Sequence, residues 1–383
     1  MKTIVKLSIT FLMIVFLGCS EDDETPPLQT PRYTLIKIEK EFRFFEDQGP
    51  QEIIIPFVSN AYSDGEFKLS LHTEDEINFE TIPEMLNGLI SFKVKKGDAN
   101  TVLIVTPQND EGINGYHDYS FTLTALSEYF RRANENNLEI GIYDDELNGM
   151  PRNFESSSKS SELNIEFFYN SDKKLHKTNQ LYSDDWFDLN EVIKYYYDDE
   201  KKLIKTKHSL GLDDANPQQV HEIIYIWEND LVVQTNYMAG EIKQYYTVYE
   251  YDAHHNVSMA EEYYVQSPLE EPILTYRTIY SYDGNDNLTE KHITTYYHPN
   301  EWDSQDDETV SKITYGEYVE YEGTFPVNEI IPGVIYQKNL PGFMKIEEEG
   351  ALAVILNYSY EFNVEGKLTK RTTDDETAVF NYQ

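Results

Sequence analysis

Val248-Tyr249-Glu250-Tyr251-Asp252-Ala253-His254-His255-Asn256-Val257 holds the unit from which the second half of the chain is built. Aromatic and other residues alternate up to Tyr251, as on a strand with one buried face. Asp252 then opens a turn through its side chain and Val257 begins a return strand, so the stretch reads as a β-hairpin. The order recurs at Phe168-Tyr169-Asn170 to Leu175, Tyr196-Tyr197-Asp198 to Leu203, Ser281-Tyr282-Asp283 to Leu288 and Glu361-Phe362-Asn363 to Leu368. In each copy an aromatic is followed at once by Asp or Asn and, six positions after the aromatic, by Leu or Val. Ile226-Trp227-Glu228 to Leu231 is a copy two residues shorter. Gly284, Asn285 and Gly366 are expected at the positive φ that such a turn needs. Hairpins in series predict a long antiparallel meander over residues 162–383, and a twisted sheet of that length must curl, pair or split. An open or closed barrel-like sheet is the expected form.

These repeats resemble the Tyr-Asp repeats of Rhs-type proteins, and the Bacteroidetes lipoprotein families of unknown function described with a porin-like fold. Ile313-Thr314-Tyr315-Gly316 with Asn339-Leu340-Pro341 looks like the closing section of the latter. The resemblance predicts shape rather than activity. A membrane pore is not expected, because charges fall on both strand faces around Glu191 to Lys202.

The first half is also expected to be strand. Tyr33–Ile38, Gln51–Val58, Glu66–Leu71, Leu89–Val94, Thr101–Thr106 and Tyr119–Leu123 are short alternating runs, separated by turn formers such as Asp47-Gln48-Gly49-Pro50 and Ser63-Asp64-Gly65. Such a series over residues 33–146 predicts an Ig-like β-sandwich, making the whole chain all-β. Phe45-Glu46-Asp47-Gln48-Gly49, Ile90-Ser91-Phe92 with Lys96-Gly97, Val105 to Glu111, Phe121-Thr122-Leu123 and Ile140 to Glu146 together resemble the Calx-β domain. That resemblance implies a Ca²⁺ site among loops at one end of the sandwich, with Glu46, Asp110, Asp144, Asp145 and Glu146 as its ligands. Ca²⁺ needs six to eight oxygens, so several acidic loops must converge. The Asp-Tyr pair usual in a middle loop is here Asn78-Phe79, which loses one charge. Many such sandwiches keep the fold without the ion. A polar, Ser-rich stretch with Pro151 and Ser156-Ser157-Ser158-Lys159-Ser160-Ser161 predicts a linker over 147–161.

At the start, Lys2 and Lys6 flank an apolar run from Leu7 to Leu17, the layout of a secretory signal peptide over residues 1–18. The run is well short of the 18 or so residues that a spanning helix needs. Phe16-Leu17-Gly18-Cys19 resembles the lipobox of bacterial lipoproteins, implying lipidation of Cys19. Ser20-Glu21-Asp22-Asp23-Glu24 is similar to the acidic signal that exports Bacteroidetes lipoproteins to the outer face of the outer membrane. Residues 19–32 then form an acidic, Pro-rich tether. Cys19 is the only cysteine, so no intramolecular disulfide can form.

The 69 acidic against 31 basic residues give a formal net charge of −38. Nucleic acid and anionic lipid are thereby disfavoured as partners, since both are bound through Lys and Arg. The membrane through the lipid anchor, a glycan or an envelope protein are the expected partners, and no cofactor beyond Ca²⁺ is indicated.

With 31 Tyr in the chain, cross-strand tyrosine ladders are expected at Tyr195–Tyr197, Tyr245 and Tyr246, Tyr249 and Tyr251, Tyr263 and Tyr264, Tyr280 and Tyr282, and Tyr296 and Tyr297. An exposed subset can stack on sugar rings, with Tyr197, Trp227, Tyr251 and Tyr282 as candidates. His254 and His255 fall in a turn. His221-Glu222 starts like a zinc-protease motif but meets Tyr225 in place of the second histidine. All three histidines are therefore expected on the surface. No nucleophile elbow, phosphate loop or catalytic cysteine occurs, and no carboxylate pair can be nominated. The residues favour a non-catalytic binding or scaffold lipoprotein. A glycan-acting enzyme whose residues meet only in the fold, and a Ca²⁺-dependent structural or adhesion module, stay open.

Overall fold

The computed structural model describes residues 32–382, apart from 39–40, 74–76, 110–111, 135–136, 148, 185, 212–218, 268, 297–307 and 322–328. The stretch expected as an export signal, Cys19, the acidic run behind it, Asp110 and Tyr297 lie outside the described residues. Among those described, every regular element is a strand except two 3-10 turns, Glu46–Gln48 and Asp145–Leu147.

The N-terminal half packs a six-stranded sheet against a three-stranded one. In the larger sheet the order is Glu41–Phe45, Leu138–Tyr143, His117–Thr124, Gly65–His72, Leu89–Val94, Met85–Leu86. The smaller is Gln51–Pro56, Asn100–Pro107, Phe79–Ile82. Alternation explains the core: in Leu89–Val94, Ile90, Phe92 and Val94 are buried while their neighbours are exposed. They meet Phe67, Leu69, Leu103, Tyr119 and Phe121 in one cluster. Glu41–Phe45 and Leu138–Tyr143 pair in parallel, with Phe45 opposite Tyr143. Glu41–Phe45 follows a short strand, Thr34–Ile36, that pairs with Phe130–Arg132; its own pairing with the last strand of the sandwich brings both 3-10 turns to one end.

From Pro151 to Tyr382 the chain is an antiparallel barrel in which each strand pairs with the next in sequence. It has 17 strand segments. Val354–Asn357 and Ser359–Phe362 are consecutive segments separated only by Tyr358. Pro151–Ser158 closes the ring by pairing with both Ser161–Tyr169 and Glu376–Tyr382. The stretch expected as linker is therefore largely a barrel strand. Its serines do make a turn, since Ser158 Oγ accepts from the Ser160 and Ser161 amides at 3.3 and 3.1 Å. The residues before them pair because Phe154 faces inward onto Phe380, ring centroids 5.1 Å apart. That partner lies at the far end of the chain, where composition cannot reveal it.

The repeats form the turns at one end of the barrel. Each Asx side chain accepts the amide four residues ahead, and Asn170, Asp252, Asp283 and Asn363 also accept the amide two ahead. Asp252 Oδ1 binds the His254 and Asn256 amides at 2.8 and 2.9 Å, and Asp283 and Asn363 repeat the pattern. Positive φ falls three residues after the Asx, at Lys173, Lys201, His255, Asp286 and Gly366. Gly366 was expected there, but Gly284 and Asn285 do not take that conformation. The loop is a type I turn closed by one left-handed residue, which places the strain a step later than a two-residue turn does. The shorter copy is such a two-residue turn, with φ of 49° and 65° at Asn229 and Asp230. Its aromatic Trp227 faces Val232 rather than Leu231.

Strand parity assigns the barrel faces. Tyr225, Tyr237, Tyr249 and Tyr280 turn inward, whereas ion pairs Lys205–Glu222, Arg277–Glu261 and Lys345–Glu347 lie on the outer face at 3.1, 2.6 and 2.6 Å. Ion pairs of this kind suit water, not hydrocarbon. Between Thr309–Gly316 and Phe343–Glu348 the chain enters the lumen as the small hairpin Glu329–Ile331 and Ile335–Tyr336. Ile331 is fully buried there among Leu203, Tyr225, Val232 and Val257. Ile313–Gly316 and Asn339–Pro341 flank this plug.

The two halves meet edge to edge. The Tyr116 amide donates to the Tyr169 carbonyl at 2.7 Å, and Gly115 bridges to Asn170. Tyr116, Tyr143 and Phe168 form a buried aromatic cluster, while Arg43 pairs with Glu166 at 2.5 Å and Lys177 with Asp118.

Candidate functional site

The carboxylates of the two 3-10 turns converge beside this junction. Donor oxygens of Glu46, Asp144 and Glu146 all lie within 4.8 Å of one another. Glu46 is 2% exposed and Asp144 is fully buried. Asp144 Oδ2 accepts the Asn114 and Gly115 amides at 2.5 and 2.6 Å, and its Oδ1 accepts the Glu146 amide at 2.9 Å. It therefore holds the loop that reaches the barrel. Glu46 Oε1, Asp145 Oδ1 and Glu146 Oε2 are buried with no hydrogen-bond partner. Burial, then the neighbouring Glu146 and Asp145, push the Glu46 carboxyl up to about 9. Unpartnered buried oxygens of like charge fit a hard divalent cation such as Ca²⁺. Of the five residues expected to bind it, four are brought together and Asp110 lies outside the described residues. Asn78 is not a spare ligand, because its Oδ1 accepts the Tyr119 hydroxyl at 2.6 Å.

A second site lies inside the barrel. A cavity of about 390 Å³ is walled by Tyr225, Tyr237, Tyr245 and Tyr249 with Thr235 and Thr247, and Pro332 of the plug forms part of its lining. An adjoining space of about 250 Å³ shares Thr247, Tyr249 and Glu262, and extends to Tyr276, Tyr280 and Ile330. Glu262 is the only carboxylate among the described lining residues of both. Burial raises its pKa, and Thr275 Oγ1 donates to it at 3.1 Å. Tyr225 donates to the Pro332 carbonyl at 3.0 Å, which ties wall to plug. Burial pushes the hydroxyls of Tyr225 and Tyr249 up, so both remain protonated donors near neutral pH.

None of the four aromatics proposed from sequence to bind ligand lines this cavity. Tyr197, Trp227, Tyr251 and Tyr282 instead donate to backbone carbonyls of Leu175, Leu203, Val232 and Val257, at 2.9, 2.8, 2.7 and 3.0 Å. Their task is to join one hairpin to the one before. Tyr225, Tyr249 and Glu262 were not among the residues expected to bind ligand; parity counted from the hairpin turns marks Tyr225 and Tyr249, two residues before Trp227 and Tyr251, whereas the register shift between Val257 and Met259 hides Glu262. His254 and His255 are exposed on their turn. His221, expected on the surface, is half-buried and faces the lumen between the rings of His208 and Tyr237. Burial, then His208, lowers its pKa.

No family model matches the sequence, and no curated protein does. Among solved structures, the chain is similar to a porin-like protein from Bacteroides uniformis, at 12% identity and TM-score 0.39 over 61% of this chain and 98% of that one. A porin-like protein from Bacteroides vulgatus is similar at 9% and 0.34, over 61% and 99%. The apo-form Calx CBD1 domain is similar at 11% and 0.25, over 29% and 98%. Likenesses this weak bear on neither ligand nor activity.

Proposed function

We propose that this chain is a lipid-anchored binding protein of the outer-membrane surface that takes a neutral glycan into the tyrosine-walled lumen of its barrel. The cavity carries this reading. Its volume is in the range of small-ligand sites, and its wall combines aromatic faces with a few hydroxyls and one carboxylate. Tyrosine faces suit the C–H faces of a sugar, while Glu262, Thr235 and Thr247 suit its hydroxyls. A net charge of −38 disfavours an anionic polymer. Hydrolysis by the usual route needs a pair of carboxylates; Glu262 is the one carboxylate in the described lining of the two spaces, and Glu329 of the plug lies outside that lining. Cys19 supplies the anchor and the acidic run behind it the outward address. Calorimetric titration of the mature chain with neutral oligosaccharides tests the site. Binding is expected in the wild type and at least tenfold weaker in Glu262→Gln. Absence of binding across the panel, or equal binding by the variant, overturns the reading.

The unpartnered oxygens beside the junction support a second reading, in which the sandwich is a Ca²⁺-dependent structural module. Glu46, Asp145 and Glu146 would hold the ion, whose charge would relieve their mutual repulsion. Ca²⁺ at millimolar concentration is expected to raise the Tm of the wild type and to leave Glu46→Gln unmoved. Neither heat nor a Tm shift in the wild type discards the site.

A further inference from the structure

We propose that Glu191, His208 and His221 form a binding site for a borderline divalent cation of the Zn²⁺ class on the inner wall of the barrel. The three residues lie on adjacent strands, Asp188–Tyr197, Leu203–Gly211 and Gln219–Glu228. His208 is directly opposite both Ile193 and His221. Glu191 is two residues from Ile193, so the pleat places all three side chains on one face. That face is the lumen, since Ile223 and Tyr225 continue the parity of His221 into the cavity wall. Donor atoms of the three lie within 4.8 Å of one another.

The surroundings are organised around the imidazoles. Glu191 Oε1 lies 2.8 Å from His208 Nδ1, and Thr206 Oγ1 lies 3.0 Å from His208 Nε2. His221 is stacked between His208 and Tyr237, with centroids 4.5 and 4.6 Å away. The row continues with Tyr237 on Tyr245 and Tyr245 on Tyr264, at 5.9 and 5.2 Å. Tyrosine thus suffices for packing along this row. Two histidines with a carboxylate at one end of it add what packing does not require, two nitrogen ligands and one oxygen.

Such a mixed set selects among cations. Ca²⁺ and Mg²⁺ demand oxygen ligands, whereas imidazole suits Zn²⁺ and its first-row neighbours. Three protein ligands leave a fourth position open, and here it faces the lumen. The site is separate from the carboxylate nest at the sandwich junction and does not rest on the glycan reading.

The test is titration of the full mature chain with Zn²⁺ near neutral pH, with excess Ca²⁺ present to occupy the acidic nest. Co²⁺ is added in parallel for its visible absorption. His221→Tyr is the decisive variant, because it keeps a ring in the stack and removes the donor. The wild type is expected to bind one equivalent more Zn²⁺ than His221→Tyr, and to show a Co²⁺ band that the variant lacks. Glu191→Gln is expected to weaken Zn²⁺ binding at least tenfold. Equal stoichiometry and affinity in wild type and His221→Tyr, or no Zn²⁺ binding by the folded wild type, overturns the proposal.

Discussion

Tyr251 donates its hydroxyl to the carbonyl oxygen of Val232, 2.7 Å away on the neighbouring hairpin. The bond recurs from Tyr197 to Leu175, Trp227 to Leu203, Tyr282 to Val257 and Tyr382 to Leu368. Each acceptor sits opposite its own hairpin's aromatic, as Val257 does to Tyr251 and Leu203 to Tyr197. Aromatic and apolar positions of the repeat thus form one ladder. Tyr251→Phe strands the Val232 carbonyl and is expected to cost about 1–3 kcal/mol. Urea unfolding measures it, and adding Tyr197→Phe, two hairpins away, is expected to give the sum of the single losses.

His255 is held at φ 65° although nothing but the turn demands it, and Gly366 fills the same position at 81°. A left-handed conformation costs an L-residue about 1–2 kcal/mol, part of which glycine recovers and part of which it loses to its freer unfolded chain. His255→Gly is expected to stabilise the protein by about 0.5–1 kcal/mol. Gly366→Ala, with open space around its added carbon, is expected to destabilise it by about 1 kcal/mol. Thermal melts of the two variants check both signs.

Glu329 stands on the plug hairpin, open to solvent yet ringed by protein, and the resulting desolvation raises its pKa above the ordinary 4.5. The folded state therefore holds a proton that the unfolded state releases as pH passes that value, so this group's contribution to stability falls as pH rises. Asp283, lowered by the Asn287 amide, has the opposite sign, but its window lies below the ordinary 3.8. Wild-type protein is expected to lose stability from pH 5 to pH 8 more steeply than Glu329→Gln. Parallel slopes in denaturant titrations would refute the assignment.

Gly115 has φ +84°, and a Cβ there would lie 2.6 Å from the carbonyl carbon of Asn170. Backbone cannot yield as a flexible side chain does. Gly115→Ala is expected to open the contact between sandwich and barrel while leaving each folded. Small-angle scattering should report a larger radius of gyration, and cleavage by protease around residues 113–116 should accelerate.

Within the barrel, the hairpins were legible because aromatic, Asx and closing apolar residue act within about ten residues of one another. The aromatics' task was not. From sequence, Tyr251 and Tyr249 are two tyrosines on one face of one strand; only their surroundings make Tyr251 a ladder residue bonded to the Val232 carbonyl and Tyr249 a cavity residue. The acidic nest was readable through resemblance, but its unpartnered oxygens were not, since pairing depends on what surrounds each carboxylate.

The sequence by itself determined an all-β chain, a repeat whose turns are capped by their own Asx side chains, and a single cysteine. All are local patterns, written in neighbouring residues. Only the tertiary structure decided that the meander closes, where Ser156 meets Glu376 from 220 residues away. It also decided that a hairpin enters the lumen and that parallel pairing of Glu41–Phe45 with Leu138–Tyr143 brings Glu46 to Asp144. Closure and convergence follow from twist and register accumulated over many strands, and no short stretch of sequence carries that sum.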